Sequence, residues 1–161
     1  MQIRAAEPAD LASIAALFAE LDALHHERLP ERFAAHTGTA RSGDHLLGLV
    51  QAPTGALLLA EADGEVVGLV HLVLREAPAL PVFVPRRFAV VEDLVVAVRA
   101  RRRGIGRALM AAADAWARDR DAVSIELTVY DVNHEAAAFY RALGFRVDSC
   151  RLARAIRHNE P

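Results

Sequence analysis

Residues 88–109 constrain the fold more than any other part of the chain. Phe88 to Val98 is apolar except for Glu92 and Asp93, and it reads as a strand buried on at least one face. The strand runs into Arg99-Ala100-Arg101-Arg102-Arg103, and Gly104 then opens an apolar-periodic helix to about Arg118. The first turn of a helix has free N–H groups and a partial positive charge, which together suit a phosphate oxygen. Gly104 and Gly106 lack a β-carbon, so a ligand can approach the backbone, and the arginines add forked donors. The plainer alternative is a strand-to-helix turn with a purely structural role. The turn is not a Walker loop, because the lysine and the longer glycine spacing are missing. It is not the dinucleotide fingerprint either, since Leu109 stands where a third glycine is needed. As a nucleic-acid patch it is short and has no aromatic interleaving.

The rest of the chain alternates in the same manner. Ile3 to Ala6 can open a sheet, and Pro8-Ala9-Asp10 reads as a helix start. Leu11, Ile14, Leu17, Phe18, Leu21 and Leu24 recur at helical steps, which predicts an amphipathic helix to about His25. Pro30, Gly38 and Gly43 break the next stretch, and a second helix fits Asp44 to Gln51, ended by Pro53 and Gly55. Ala56 to Ala62 and Glu65 to Leu74 flank Asp63-Gly64, a hairpin signal. Pro78, Pro81 and Pro85 mark a loop. Further on, a strand is expected over Ser124 to Val129, a helix over Asn133 to Leu143, and a last strand from Phe145 to about Ile156. The order βααβββαβαβ implies one mixed α/β domain over residues 1–161.

Composition narrows the function classes. With 161 residues, 53% hydrophobic and 25% charged, the chain can bury a single core and is not a disordered segment. No apolar run approaches the roughly 20 residues of a membrane span, and Met1-Gln2-Ile3-Arg4 begins no secretory signal. A cytoplasmic protein without membrane attachment is the expectation. A net charge of −2 does not suggest a nucleic-acid partner. All 19 basic residues are arginines, which excludes Schiff-base chemistry on a lysine. Cys150 is the one cysteine, so neither an intrachain disulfide nor a cysteine-cluster metal site is possible, and no metal is expected. Late in the expected last strand, Cys150 reads as a buried structural thiol.

A second motif stands at 133–145. Asn133 is a good N-cap, and Tyr140 lies nearly two turns later on the same face, with Ala136 and Ala137 between. Those small residues leave room for a ligand along the helix, and Gly144 suits its stop. A tyrosine that merely packs is the alternative here.

Arg101-x-x-Gly104-x-Gly106 resembles the Q/R-x-x-G-x-G/A signature of the GCN5-related N-acetyltransferases (GNAT). Asn133-x-x-Ala136-x-x-x-Tyr140-x-x-x-Gly144-Phe145 resembles the family's N-x-x-A-x-x-x-Y-x-x-x-G-F, and the element order agrees along most of the chain. The resemblance implies an α/β (α+β) acyl-CoA N-acyltransferase fold, a mixed, splayed sheet flanked by helices. It implies acetyl-CoA as cosubstrate and an amine as acceptor, with homodimers common in the family. The turn formed by Arg101, Arg102, Arg103, Gly104, Ile105, Gly106 and Arg107 then holds the pyrophosphate. The backbone of Leu94, Val95 and Val96 pairs with the pantetheine arm, which Asn133 also contacts. Tyr140 lies beside the thioester sulfur as general acid. The Val96 N–H is the expected oxyanion donor.

Glu92 is the expected base, four residues before Val96, where several family members carry an acid facing the acceptor. Asp93, next to it, is expected on the opposite face. Ribosomal-protein acetyltransferases of the family carry a glutamate where this chain has Thr128, while Glu126 shares that face two residues away. His25 and His26 either close an exposed helix end or border the acceptor site, and His71 can face the acceptor cleft near Glu92. The loop Pro78 to Arg87 is expected beside that cleft, where Leu80, Val82, Phe83 and Val84 line a pocket or meet a second subunit. Two rivals differ in class: a sensor that binds acyl-CoA without turnover, and a nucleic-acid-binding protein using the arginine run, whose binding to DNA or RNA would be salt-sensitive and not displaced by CoA.

Overall fold

The computed structural model describes residues 1–36 and 40–156; Gly38, read above as a breaker, lies outside them. The chain forms two compact units, Met1–Thr128 and Val129–Pro161.

The first unit is a five-stranded sheet in the order β1-β2-β3-β4-β5, with β1 Gln2–Ala5, β2 Gly55–Ala62, β3 Glu65–Glu76, β4 Arg87–Val96 and β5 Ile125–Leu127. Four strands are mutually antiparallel, and β5 joins β4 in parallel. The β2–β3 turn has positive φ at Asp63 (54°) and Gly64 (78°), the mirror-image turn that Asp-Gly favours. Three helices belong to this unit: α1 Leu11–Arg28, α2 Gly43–Val50 and α3 Ile105–Arg118. Helix α1 runs three residues beyond His25, and its C-cap Leu29 donates its N–H to the His25 carbonyl.

The sheet core is Leu57, Leu59, Leu69, Val70, Leu72 and Val95, covered by Ile14, Leu17 and Phe18 of α1 and Leu109, Met110 and Ala113 of α3. Gly68 lets α3 lie close: a β-carbon there would stand 2.9 Å from the Val95 carbonyl oxygen and 3.2 Å from Leu109 Cδ1. Gly68 and Leu69 are adjacent, so one strand face carries α3 and the other faces α1.

The second unit contains α4, His134–Ala142, capped by the Asn133 side-chain oxygen, which accepts from the Ala136 N–H at 3.2 Å. Gly144, at φ 90°, ends it, and the Phe145 N–H bonds the Tyr140 carbonyl. The strand expected from Phe145 to Ile156 is not formed: residues 145–156 carry no regular secondary structure. Val147 and Leu152 of that stretch face solvent, at 81% and 89% exposure, and no ladder satisfies its backbone. Cys150, read as a buried thiol, is accordingly exposed. No helix among the described residues is long and apolar enough to cross a membrane.

Candidate active site

Strand β4 contains a register slip that the sequence alternation does not show. His71 pairs with Asp93 and Leu72 with Val91, so Glu92 is an extra residue without a cross-strand partner. A bulge of this kind re-aims every group that follows it. Before it, the Ala89 N–H bonds the Ser124 carbonyl, so Ala89 and Val91 turn their backbone groups towards β5. After it, the Ala97 N–H bonds the Val67 carbonyl. Counting back in steps of two, Val95 and Asp93 therefore face β3, whereas Val96 and Leu94 face away from it.

The β5 ladder ends at Val91↔Leu127. Beyond that point β4 continues to Val96 with the backbone groups of Leu94 and Val96 turned to a side where no described strand extends the sheet. This edge can take an added extended segment. Of the three residues expected to pair with a ligand, Val95 has its polar groups committed to β3.

The edge leads directly into the arginine turn. A single 3₁₀ turn, Val98–Ala100, follows the strand, and its Val98 N–H donates to the Glu20 carboxylate of α1 at 2.8 Å. Arg99 pairs with Glu65 at 2.8 Å, and the Arg101 Nε donates to the Val96 carbonyl at 3.1 Å. Arg102 and Gly104 both have positive φ, 62° and 79°. Gly104 is the N-cap of α3 and, having no side chain, leaves the first-turn N–H groups of Ile105, Gly106 and Arg107 uncapped. Arg101, Arg102, Arg103 and Arg107 are exposed, while Ile105, the first residue of α3, is buried. An anion meets backbone donors, a helix dipole and guanidinium groups here.

The bulge also sets the acidic residues. His71 and Arg75, four residues apart on β3, share the face towards α1. The His71 Nδ1 lies 3.2 Å from the Asp93 carboxylate, and Arg75 pairs with Glu92 at 2.7 Å. Glu92 and Asp93 thus serve one face, not opposite ones, because the extra residue resets the alternation. His71 faces Asp93 rather than Glu92. The two adjacent charges in an apolar strand were the visible sign of the bulge.

On α1, the His25 ring stacks on Phe33 at 4.7 Å, and the His26 Nδ1 contacts the Phe33 carbonyl at 2.7 Å. Burial holds the His25 imidazole below its usual value, against the opposing charges of Asp22 and Asp93. Both histidines are half-buried, while Glu27 between them and the helix end is exposed. Glu126 pairs with Arg86, away from the bulge. The loop at 78–87 forms a shallow depression lined by Leu80, Phe83 and Arg86 at the β3–β4 turn, the end of β4 opposite to Val96. In the second unit, the Tyr140 ring packs edge-on against Phe139 and Phe145, at 5.1 and 5.5 Å.

The profile of the acetyltransferase (GNAT) family matches residues 18–145. The chain belongs to this family. It is an N-acetyltransferase, and the arginine turn and the 133–145 motif both fall within the match. An uncharacterized N-acetyltransferase, YhfO of Bacillus subtilis, is 28% identical over 92% of both chains. The aminoglycoside N(6')-acetyltransferase type 1 of Klebsiella aerogenes is 31% identical over 63% of this chain and 66% of its own length. Among solved structures, a tetramutant of the BH1408 protein of Bacillus halodurans superposes with a TM-score of 0.92 at 25% identity, covering 97% of this chain and 100% of that one. The aminoglycoside N-acetyltransferase AAC(6')-Iy, solved with CoA, shares the fold at a TM-score of 0.71 and 19% identity, covering 98% and 100%.

Proposed function

We propose that this N-acetyltransferase moves an acetyl group directly from acetyl-CoA to a primary amine. The observation that carries the proposal is the continuous path from the outward backbone of Leu94 and Val96 to the uncapped N-terminus of α3. A pantetheine arm is a chain of amides that can pair with such an edge, and a pyrophosphate suits such a helix start. Arg101 to Arg107 cradle the phosphates, and Asn133 contacts the pantetheine arm. The family match runs across the division at Thr128/Val129, which supports reading residues 1–161 as one acetyltransferase domain.

In the reaction, the amine nitrogen attacks the thioester carbonyl, a new N–C bond forms, and the C–S bond breaks. The Val96 N–H stabilises the oxyanion. Tyr140 protonates the departing thiolate, supported by its place in the family motif. Glu92 accepts a proton from the nitrogen as the tetrahedral intermediate collapses. Holding both reactants together supplies much of the acceleration. The amine acceptor finds support in the relatives named as aminoglycoside acetyltransferases.

Calorimetric titration with acetyl-CoA tests this on wild type, Gly104→Glu and Tyr140→Phe. Binding should vanish in Gly104→Glu and persist in Tyr140→Phe. Thiol release should then be scored against primary amines, including an aminoglycoside and a polyamine. Tyr140→Phe should be slower by about 100-fold or more. A folded wild type that does not bind acetyl-CoA overturns the proposal. Binding without thiol release for any amine returns the chain to the sensor alternative.

A further inference from the structure

His71 is the buried polar side chain among the described residues, at 8% exposure, and acetyl transfer as set out above does not use it. Asp93 is its partner, through Nδ1. No buried side-chain nitrogen or oxygen among the described residues lacks a partner, so the Nε2 atom retains contact with solvent. A carboxylate beside Nδ1 holds that nitrogen as the N–H donor and leaves the lone pair on Nε2. This is the arrangement that makes a neutral imidazole a proton acceptor. It lies on the bulged face that also carries Glu92.

The chemistry removes two protons. An amine arriving as an ammonium ion loses one proton before it can attack and a second after the N–C bond forms. Resting on the acetyl-transfer proposal, we infer that His71 Nε2 takes the first proton from a cationic acceptor, leaving the second to Glu92. In this step an N–H bond of the ammonium breaks and its electron pair stays on nitrogen. The proton makes His71 an imidazolium facing the Asp93 carboxylate, and it passes to solvent before the next turnover. Asp93 is a positioning residue, fixing the tautomer and stabilising the cation.

The charged groups around this face are Asp93 and Glu92 on β4, Arg75 on β3, and Asp22, His25 and Arg28 on α1, with Arg41 paired to Asp22 at 2.6 Å. His25 is the competing imidazole. Its burial beside Phe33 disfavours the protonated form.

Nitrogen NMR of the full chain with labelled histidine tests the inference without an acceptor, the His71 signal being assigned by its loss in His71→Gln. The expected result is an Nδ1–H tautomer in the wild type that shifts towards Nε2–H in Asp93→Asn. An Nε2–H tautomer in the wild type overturns the inference. The amine giving the fastest thiol release then provides a kinetic test. His71→Gln should retain acetyl-CoA binding and lose about 100-fold in kcat/KM at neutral pH. The deficit should shrink as pH approaches the acceptor's own pKa. Glu92→Gln and His25→Asn should show no such recovery. An active wild type with an equally active His71→Gln, or a deficit independent of pH, sinks the role of His71 alone. A wild type that releases no thiol with any amine sinks the acetyl-transfer proposal, and this inference with it.

Discussion

The carboxylate of Glu20, in the middle of α1, accepts the backbone N–H of Val98 at 2.8 Å. Seventy-eight residues separate the two, and the bond ties a helix on one face of the sheet to the start of the arginine turn. Val98 itself is exposed, so its side chain does not anchor the segment. The turn follows the outward-facing end of β4, and its position fixes the distance between that edge and the N-terminus of α3.

Loss of this bond should therefore be felt in ligand affinity. A charge-assisted bond to a backbone N–H contributes on the order of 1–2 kcal/mol. Glu20→Ala should weaken acetyl-CoA binding by roughly fivefold or more, while lowering the melting temperature only slightly. Unchanged affinity in a calorimetric titration would show that the turn holds its shape without Glu20.

Gly104 separates conformation from space. A β-carbon at this position would meet nothing within 4 Å, yet φ is 79°. Gly104→Ala should cost about 1 kcal/mol in chemical denaturation through backbone strain alone. Gly104→Asn, which tolerates this conformation better, should recover part of that loss. Equal stability of wild type and the alanine variant would refute the strain argument.

Gly68 makes the opposite case, since its backbone is ordinary and its surroundings are not. The Val95 carbonyl that a β-carbon would strike belongs to the central ladder and cannot move freely. Gly68→Ala should destabilise the fold by about 2 kcal/mol. A change under about 0.5 kcal/mol in the unfolding free energy would mean that α3 shifts to accommodate the methyl group.

Arg4 grips Asp10 through Nη1 and Nη2, at 2.7 and 2.8 Å, and reaches Glu61 through Nε at 2.8 Å. The hydrogen bonds from Arg4 hold the Asp10 carboxyl below its ordinary value. A depressed carboxyl pKa stabilises the fold above the unfolded value, and that stability is lost as pH falls through the folded one. Asp10→Asn should cost about 1 kcal/mol at neutral pH and flatten the acid side of the stability profile. A parallel decline of both proteins as pH falls below about 4 would exclude the pair as a source of acid sensitivity.

Local chemistry alone decided much of this protein. The helical spacing of Leu11 to Leu24, the Asp63-Gly64 turn and the Gly104 cap are short-range patterns, and each element they mark is present. The spacing of Arg101, Gly104 and Gly106, and of Asn133, Ala136 and Tyr140, identified the family for the same reason: a turn and a helix face are set by neighbours in sequence. Tertiary structure decided what depends on a second strand or helix. Whether Glu92 is paired or extra depends on the register of β3 against β4, and a slip of one residue reverses every side chain and peptide beyond it. That slip brought Asp93 to His71 and turned Val96 outward. The apolar alternation after Phe145 looked like a strand, but a strand exists only where another backbone accepts its hydrogen bonds, and none does so there.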